Sequence, residues 1–298
     1  MYKNKERFTG IIPPVITPLT KERELDGDAL GRLIDFDLAN GCSGIFCMGS
    51  SGEAMMTSRK VWQDTIKTTV EHVGKRANTF VGVIDTCTQR VIENIRIAED
   101  LGATTMVVTP AFYLQNSCQE EIIRHYEAVA ASTKSDIVVY NIPGMTHANI
   151  DPETIRRIAE IDNIVAFKDS CADWERHQRF LFLLEDRDIA VFNGAEELCS
   201  AALIFGAQGC VPGLANFFPR LFVDMYEAAK CGDAKEAYRL QKAVWDLRKV
   251  IFVGRHWMSC MKYIGARMGF GADIASLPIE PLTDAQRRGI DEILERYL

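Results

Sequence analysis

The sequence predicts an α/β protein built as a (β/α)8 TIM barrel with a C-terminal helical domain. Short apolar runs recur about every 30 residues, each followed by a stretch of helical periodicity, which is the signature of repeated βα units. Eight such pairs fit within roughly 230 residues, a number that suits a closed barrel better than a doubly wound sheet. After Cys231-Gly232 the strand signals stop while the helical ones continue. The expected organisation is therefore a barrel over residues 1–230 and a helical appendage over 231–298.

Strands are expected near residues 10–17, 44–48, 79–83, 105–109, 137–140, 164–168, 189–192 and 209–211. Between them Val91, Ile95 and Ala98 share one helical stripe, and Ile122, Tyr126 and Val129 share another. Asp151-Pro152-Glu153 opens a further helix, with Asp at the N-cap and Pro at the first helical position. In the tail, Asp233 and Glu236 have capping-box spacing, and Ala237, Leu240, Val244, Leu247 and Ile251 then recur helically. A second tail helix is expected over 256–268, broken by Gly269, Gly271, Pro278 and Pro281; Thr283 with Gln286 caps a last one. No low-complexity linker precedes the tail, so it should pack on the barrel or on another subunit.

Composition narrows the function. The 298 residues are 47% hydrophobic and 25% charged, with a formal net charge of -7. That charge, with no Lys/Arg-rich run, argues against nucleic acid or an anionic membrane as partner and for a small molecule. The start, Met1-Tyr2-Lys3-Asn4-Lys5-Glu6-Arg7, is charged and has no apolar stretch behind it, so no secretory signal is expected. Nine scattered cysteines without a C-x-x-C pair fit reduced thiols in a cytoplasm. No G-x-G-x-x-G or P-loop follows any strand, and no metal-ligand spacing emerges. His72, His125, His177 and His256 fall in helical segments as surface or packing residues, and His147 sits near the expected mouth with a surface role.

The chemistry is expected at the carboxyl ends of the strands, where the loops of a barrel converge. Ile164-Val165-Ala166-Phe167 reads as a strand buried on both faces, ending in Lys168. An apolar floor disfavours the ammonium form and makes neutral amine available to attack a carbonyl; the plainer reading is a lysine that ends a strand and reaches water. Gly49-Ser50-Ser51-Gly52-Glu53 follows the second strand and can form a concave anion site from backbone N–H groups and hydroxyls, or simply a turn. Tyr140 ends the fifth strand, where its phenol could shuttle a proton or merely pack. Lysine, tyrosine and an anion loop on three strand ends suit a 2-oxo acid that becomes a Schiff base.

These stretches, with Phe8-Thr9-Gly10, Thr17-Pro18, Thr109-Pro110, Tyr140-Asn141-Ile142-Pro143, Phe167-Lys168-Asp169-Ser170 and Asn193-Gly194 in order, resemble the dihydrodipicolinate synthase / N-acetylneuraminate lyase family of class I, Schiff-base aldolases. The resemblance spans nearly the whole chain. It implies a homotetramer that binds pyruvate covalently, with no cofactor, since the protonated imine is itself the electron sink. Lys168 would form the imine and Tyr140 would transfer protons. Ser51 and the N–H groups of Ser51 and Gly52 would hold the pyruvate carboxylate. Ser50 would stand where synthases usually carry a relay threonine.

The departures bear on the second substrate. Synthases of this family place an arginine two residues after the proline of Y-N-x-P to hold a second carboxylate; here that residue is Met145, which cannot. Glu196, Glu197 and Ser170 match positions at which lyases grip substrate hydroxyls, although the two glutamates could equally be charges complementing a helix N-terminus. The family's interface tyrosine falls on Phe112, with Tyr113 one place later, and a serine that lyases use for the sugar chain is Gly213. The expected function is thus a lyase joining or splitting pyruvate and a hydroxylated aldehyde, closest to 2-keto-3-deoxy sugar-acid aldolases. The alternatives are a dihydrodipicolinate synthase that recruits another cation, a related dehydratase, or a barrel that binds a 2-oxo acid without turnover.

Overall fold

The computed structural model describes residues 3–297. Met1 and Tyr2 of the charged N-terminal run, and Leu298 at the end of the expected tail, lie outside the described residues. Eight parallel strands form a single sheet in the order β1-β8-β7-β6-β5-β4-β3-β2. They are β1 Gly10–Ile11, β2 Gly44–Cys47, β3 Asn78–Gly82, β4 Thr105–Val108, β5 Asp136–Asn141, β6 Ile164–Asp169, β7 Ala190–Asn193 and β8 Gly209–Cys210. The sheet closes where the chain beyond β1 meets β2. Val15 N–H donates to the Phe46 carbonyl at 2.9 Å and Phe46 N–H to that of Pro13 at 3.0 Å.

The first strand is shorter than expected: only Gly10–Ile11 of residues 10–17 is regular. Pro13 and Pro14 lack the N–H that a ladder needs, so the chain there makes an isolated bridge from Pro14 to Phe46. Each strand is followed by a helix: Gly27–Ala39, Arg59–Val73, Thr88–Asp100, Gln119–Ala131, Pro152–Ile158, Trp174–Leu183, Cys199–Ile204 and Pro219–Lys230. Val91, Ile95, Ala98, Ile122, Tyr126 and Val129 are all buried. Asp151 is the N-cap before Pro152, but its side chain makes no capping bond. It accepts instead from Arg176 Nη2 at 3.2 Å.

Alternation along the strands divides the core. Val138 and Tyr140 on β5, Ala166 on β6 and Phe192 on β7 join the cluster inside the barrel, while Val139, Phe167 and Val191 pack outward against the helices. Beyond residue 231 come helix Ala234–Leu247, a 3-10 turn Arg248–Phe252, helix Trp257–Arg267 and helix Asp284–Leu294. The helical period read through Ile251 thus breaks at Leu247. Asp233 accepts from Glu236 N–H at 2.9 Å, but Glu236 turns to Arg239, so the capping box there is half made; Thr283 and Gln286 make both halves. Among the described residues no helix is long and apolar enough to cross a membrane, and no group of three or more His, Cys, Asp or Glu side chains could hold a metal ion.

Candidate active site

Sheet register brings the lysine and the tyrosine together. Tyr140 on β5 pairs with Lys168 on β6, and Lys168 pairs with Phe192 on β7, so all three project into the barrel at its carboxyl end. Lys168 is 5% exposed. Its Nζ lies 3.7 Å from the Tyr140 ring centroid and 5.1 Å from that of Phe46, so aromatic faces stand where a counter-charge would otherwise be needed. The side chain borders a space of only about 10 Å³ among Phe46, Phe80 and Phe192. Its Cε lies behind Gly194. A Cβ there would fall 3.0 Å from Cε and 2.0 Å from Ser170 Oγ, so glycine is what lets lysine and serine share the β7 wall.

Two cavities open above this floor. One, of about 310 Å³, is lined by Ser51, Ser170, Gly194, Glu196, Glu197 and Gly213, with Met145 and Arg248 on its walls. The other, of about 230 Å³, is mainly apolar and contains Ser50, Thr109, Phe112, Ile142, Met145, His256 and Trp257. Met145, half exposed, borders both.

The G-S-S-G-E loop is fixed from below and behind. Thr17 Oγ1 donates to the Gly52 carbonyl at 2.7 Å. Gly52 has no room for a side chain, because a Cβ would sit 2.9 Å from Met48 N. Among the described residues no backbone hydrogen bond uses the N–H of Ser51 or Gly52, which leaves two donors for an anion. Glu53, at a left-handed φ of 56°, is buried and held by the tail: Lys262 Nζ lies 2.5 Å from its Oε2, and Ser276 N–H donates to its Oε1 at 2.7 Å. Lys262 Nζ also donates to the Thr17 carbonyl. Burial lowers the Lys262 pKa against the pull of Glu53.

The tail also enters the larger cavity directly. Arg248, on the 3-10 turn, reaches the glutamates that follow β7: Nη2 is 3.1 Å from Glu197 Oε2, and Nε is 3.4 Å from Glu196 Oε2. Glu196 Oε1 accepts the Leu214 N–H at 2.7 Å. Burial raises the Glu196 pKa, with the Leu214 N–H and Arg248 opposing. Both carboxylates are therefore engaged by specific partners as well as sitting at a helix N-terminus.

Of the expected site residues, Ser51, Ser170, Met145, Glu196 and Glu197 line the larger cavity, Ser50 and Met145 the apolar one, Lys168 and Tyr140 lie together inside the barrel, and Gly52 lies in the loop beside Ser51. Tyr113 is 88% exposed at φ 77° and lines neither cavity of this single chain; Phe112 lines the apolar one. In the apolar cavity a ring without a hydroxyl is the better tolerated neighbour. His147 is exposed and lines neither cavity. Sequence reasoning missed Arg248, His256, Trp257 and Lys262, all from the tail. No spacing ties them to the barrel loops; the sole signal was the absence of a linker before residue 231.

Residues 7–297 match the dihydrodipicolinate synthetase family. The chain belongs to that family. It is accordingly an enzyme of the pyruvate-dependent, Schiff-base aldolase type. A 4-hydroxy-tetrahydrodipicolinate synthase from Geobacter sulfurreducens is 30% identical over 97% of this chain and 99% of its own. The solved dihydrodipicolinate synthase from Bacteroides thetaiotaomicron is 33% identical with a TM-score of 0.92, covering 97% and 98% of the two chains. The chloride-inhibited dihydrodipicolinate synthase from Acinetobacter baumannii, solved in complex with pyruvate, is 27% identical with a TM-score of 0.90 over 97% and 98%. The likeness to these structures therefore extends over nearly all of this chain, tail included.

Proposed function

We propose that the protein is a carbon–carbon lyase that holds pyruvate as an imine on Lys168 and splits or joins it with a hydroxylated aldehyde of the 2-keto-3-deoxy sugar-acid class. The observation that carries this reading is the buried Lys168 amine against the Tyr140 ring, its Cε behind Gly194, on a cavity that also presents Ser51, Ser170, Glu196 and Glu197. Bringing Nζ from the ring to that cavity requires a turn about the lysine's side-chain torsions.

The neutral amine attacks the keto carbon, water leaves, and a protonated imine forms. In cleavage, Tyr140 passes its phenolic proton to Ser50 as it accepts that of the C4 hydroxyl and the C3–C4 electrons flow into the imine; Tyr140 then returns a proton to C3 of the enamine, regaining one from Ser50, and water hydrolyses the imine to pyruvate. Ser51 and the free N–H groups of Ser51 and Gly52 orient the carboxylate, and Ser50, on the wall of the apolar cavity, relays protons. Ser170, Glu196 and Glu197 face the aldehyde's hydroxyls, and Met145 offers nothing to a second carboxylate.

The second reading, a dihydrodipicolinate synthase acting on aspartate semialdehyde, is favoured by the activity for which the relatives are named. It needs a cation to replace the arginine absent at Met145. Two parallel assays separate the readings: pyruvate release from 2-keto-3-deoxygluconate, and condensation of pyruvate with aspartate semialdehyde. Release from the keto-deoxy acid is the expected result. Turnover of aspartate semialdehyde with no such release contradicts the lyase and establishes the synthase. A homotetramer belongs to the same proposal, supported by the exposed Tyr113 and Leu114 on the loop after β4, as does a cytoplasmic setting, supported by nine unpaired thiols.

A further inference from the structure

Arg248 is the arginine or lysine that lines either mouth cavity among the described residues. It comes from the tail, on the turn Arg248–Phe252, whereas Met145 comes from the loop after β5. Both border the same 310 Å³ cavity, so a cation does face the far end of a bound substrate, from the wall supplied by the tail. That cation is already occupied. Glu197 takes its Nη2, with donor–acceptor distances of 3.1 and 3.3 Å to the two carboxylate oxygens, and Glu196 lies 3.4 Å from its Nε without hydrogen-bond geometry. The guanidinium is one-fifth exposed, and the Glu197 side chain is exposed to the same degree.

We infer that the Glu197–Arg248 pair sets the choice of second substrate: paired, it presents a neutral wall of donors and acceptors to an aldehyde bearing hydroxyls, and it withholds from a second carboxylate the guanidinium that would bind it. This deepens the function proposed above and rests on it. A guanidinium flanked by two carboxylates has no net positive charge to offer, so an incoming anion meets repulsion from Glu197 before it meets attraction from Arg248. A vicinal diol faces no such obstacle. Its hydroxyls donate to Glu197, whose side chain is one-fifth exposed, while the Arg248 Nε–H stays buried behind the pair beside Glu196. The anchor holds still because Gln241, on the same tail helix that leads to Arg248, donates to the Glu196 carbonyl at 2.9 Å and accepts from Ser200 N–H at 2.9 Å. Arg248 and Glu197 touch neither Lys168 nor the anion loop, so they act on the second substrate and not on the imine.

Glu197→Gln frees the guanidinium while keeping the shape. Steady-state kinetics with pyruvate plus D-glyceraldehyde, and with pyruvate plus aspartate semialdehyde, give the ratio of kcat/KM for the two aldehydes. E197Q is expected to move that ratio toward aspartate semialdehyde by at least about thirtyfold, mostly through KM. Borohydride trapping of pyruvate alone on the same preparations shows whether the imine site is intact. An unchanged ratio with trapping intact overturns the inference. Loss of trapping in the native protein overturns the proposed function instead, which keeps the two failures apart. Should E197Q not fold, Arg248→Gln carries the test: KM for D-glyceraldehyde is expected to rise at least about tenfold, with partial recovery in Arg248→Lys, and an unaltered KM refutes the pair's role.

Discussion

At the scale of the residue, the lysine and tyrosine were legible because their meaning is positional. A polar side chain at the end of an apolar β-branched run projects from a barrel's working face, and the register of β5 on β6 then sets Tyr140 beside Lys168. His125 shows the opposite. Its helical position allows surface or packing without choosing between them; it packs, buried with Nε2 3.1 Å from the Thr109 carbonyl and Nδ1 3.0 Å from Thr88 Oγ1. Burial pulls its pKa from 6.5 down to about 4. The folded protein therefore binds this proton less readily than the unfolded chain. The stability tied to neutral His125 is complete above pH 6.5 and is lost as the pH falls through that value toward 4. The loss reaches at most on the order of 3 kcal/mol. Urea midpoints measured across that window should fall in the native protein and fall less steeply in His125→Gln; parallel slopes would contradict the assignment.

Among the elements, propensity placed the eight strands but not their lengths, since Pro13 and Pro14 end the first ladder early. The loop Gly49-Ser50-Ser51-Gly52-Glu53 is expected as an anion cradle or a plain turn from its glycines and hydroxyls, and among the described residues its Ser51 and Gly52 N–H groups are left open by the backbone. Its support was not legible, because Lys262 and Ser276 stand more than two hundred residues away in the chain. Glu53 and Lys262 have side chains 0% and 1% exposed, so removing one leaves the other charged or awkwardly neutral in a dry interior. Lys262→Met is expected to cost about 3–5 kcal/mol in urea unfolding. The double change Glu53→Gln with Lys262→Met should recover part of that loss. A single variant within about 0.5 kcal/mol of the native protein would show that the pair holds nothing.

In the whole molecule, the barrel carries Lys168 and Tyr140 and the chain beyond residue 231 supplies much of their surroundings: Lys262 against Glu53 of the G-S-S-G-E loop, Trp257 and His256 on the apolar cavity, Arg248 against the two glutamates. The strand count made the barrel legible, and the end of the strand signals pointed to helical elements alone beyond residue 231. What the two parts build between them was not legible, because contacts such as Arg248 to Glu197, 51 residues apart in sequence, have no period and no motif. The relatives' shared activity and this chain's Met145 pull in different directions on the aldehyde, yet both presuppose one covalent step on pyruvate.

That step is open to a direct measurement. Incubation with pyruvate and borohydride, followed by peptide mass mapping, should place a reduced pyruvate adduct on Lys168 in the native protein and none in Lys168→Arg. An adduct on another lysine, or none in the native protein under conditions that label a known pyruvate aldolase, would contradict the account.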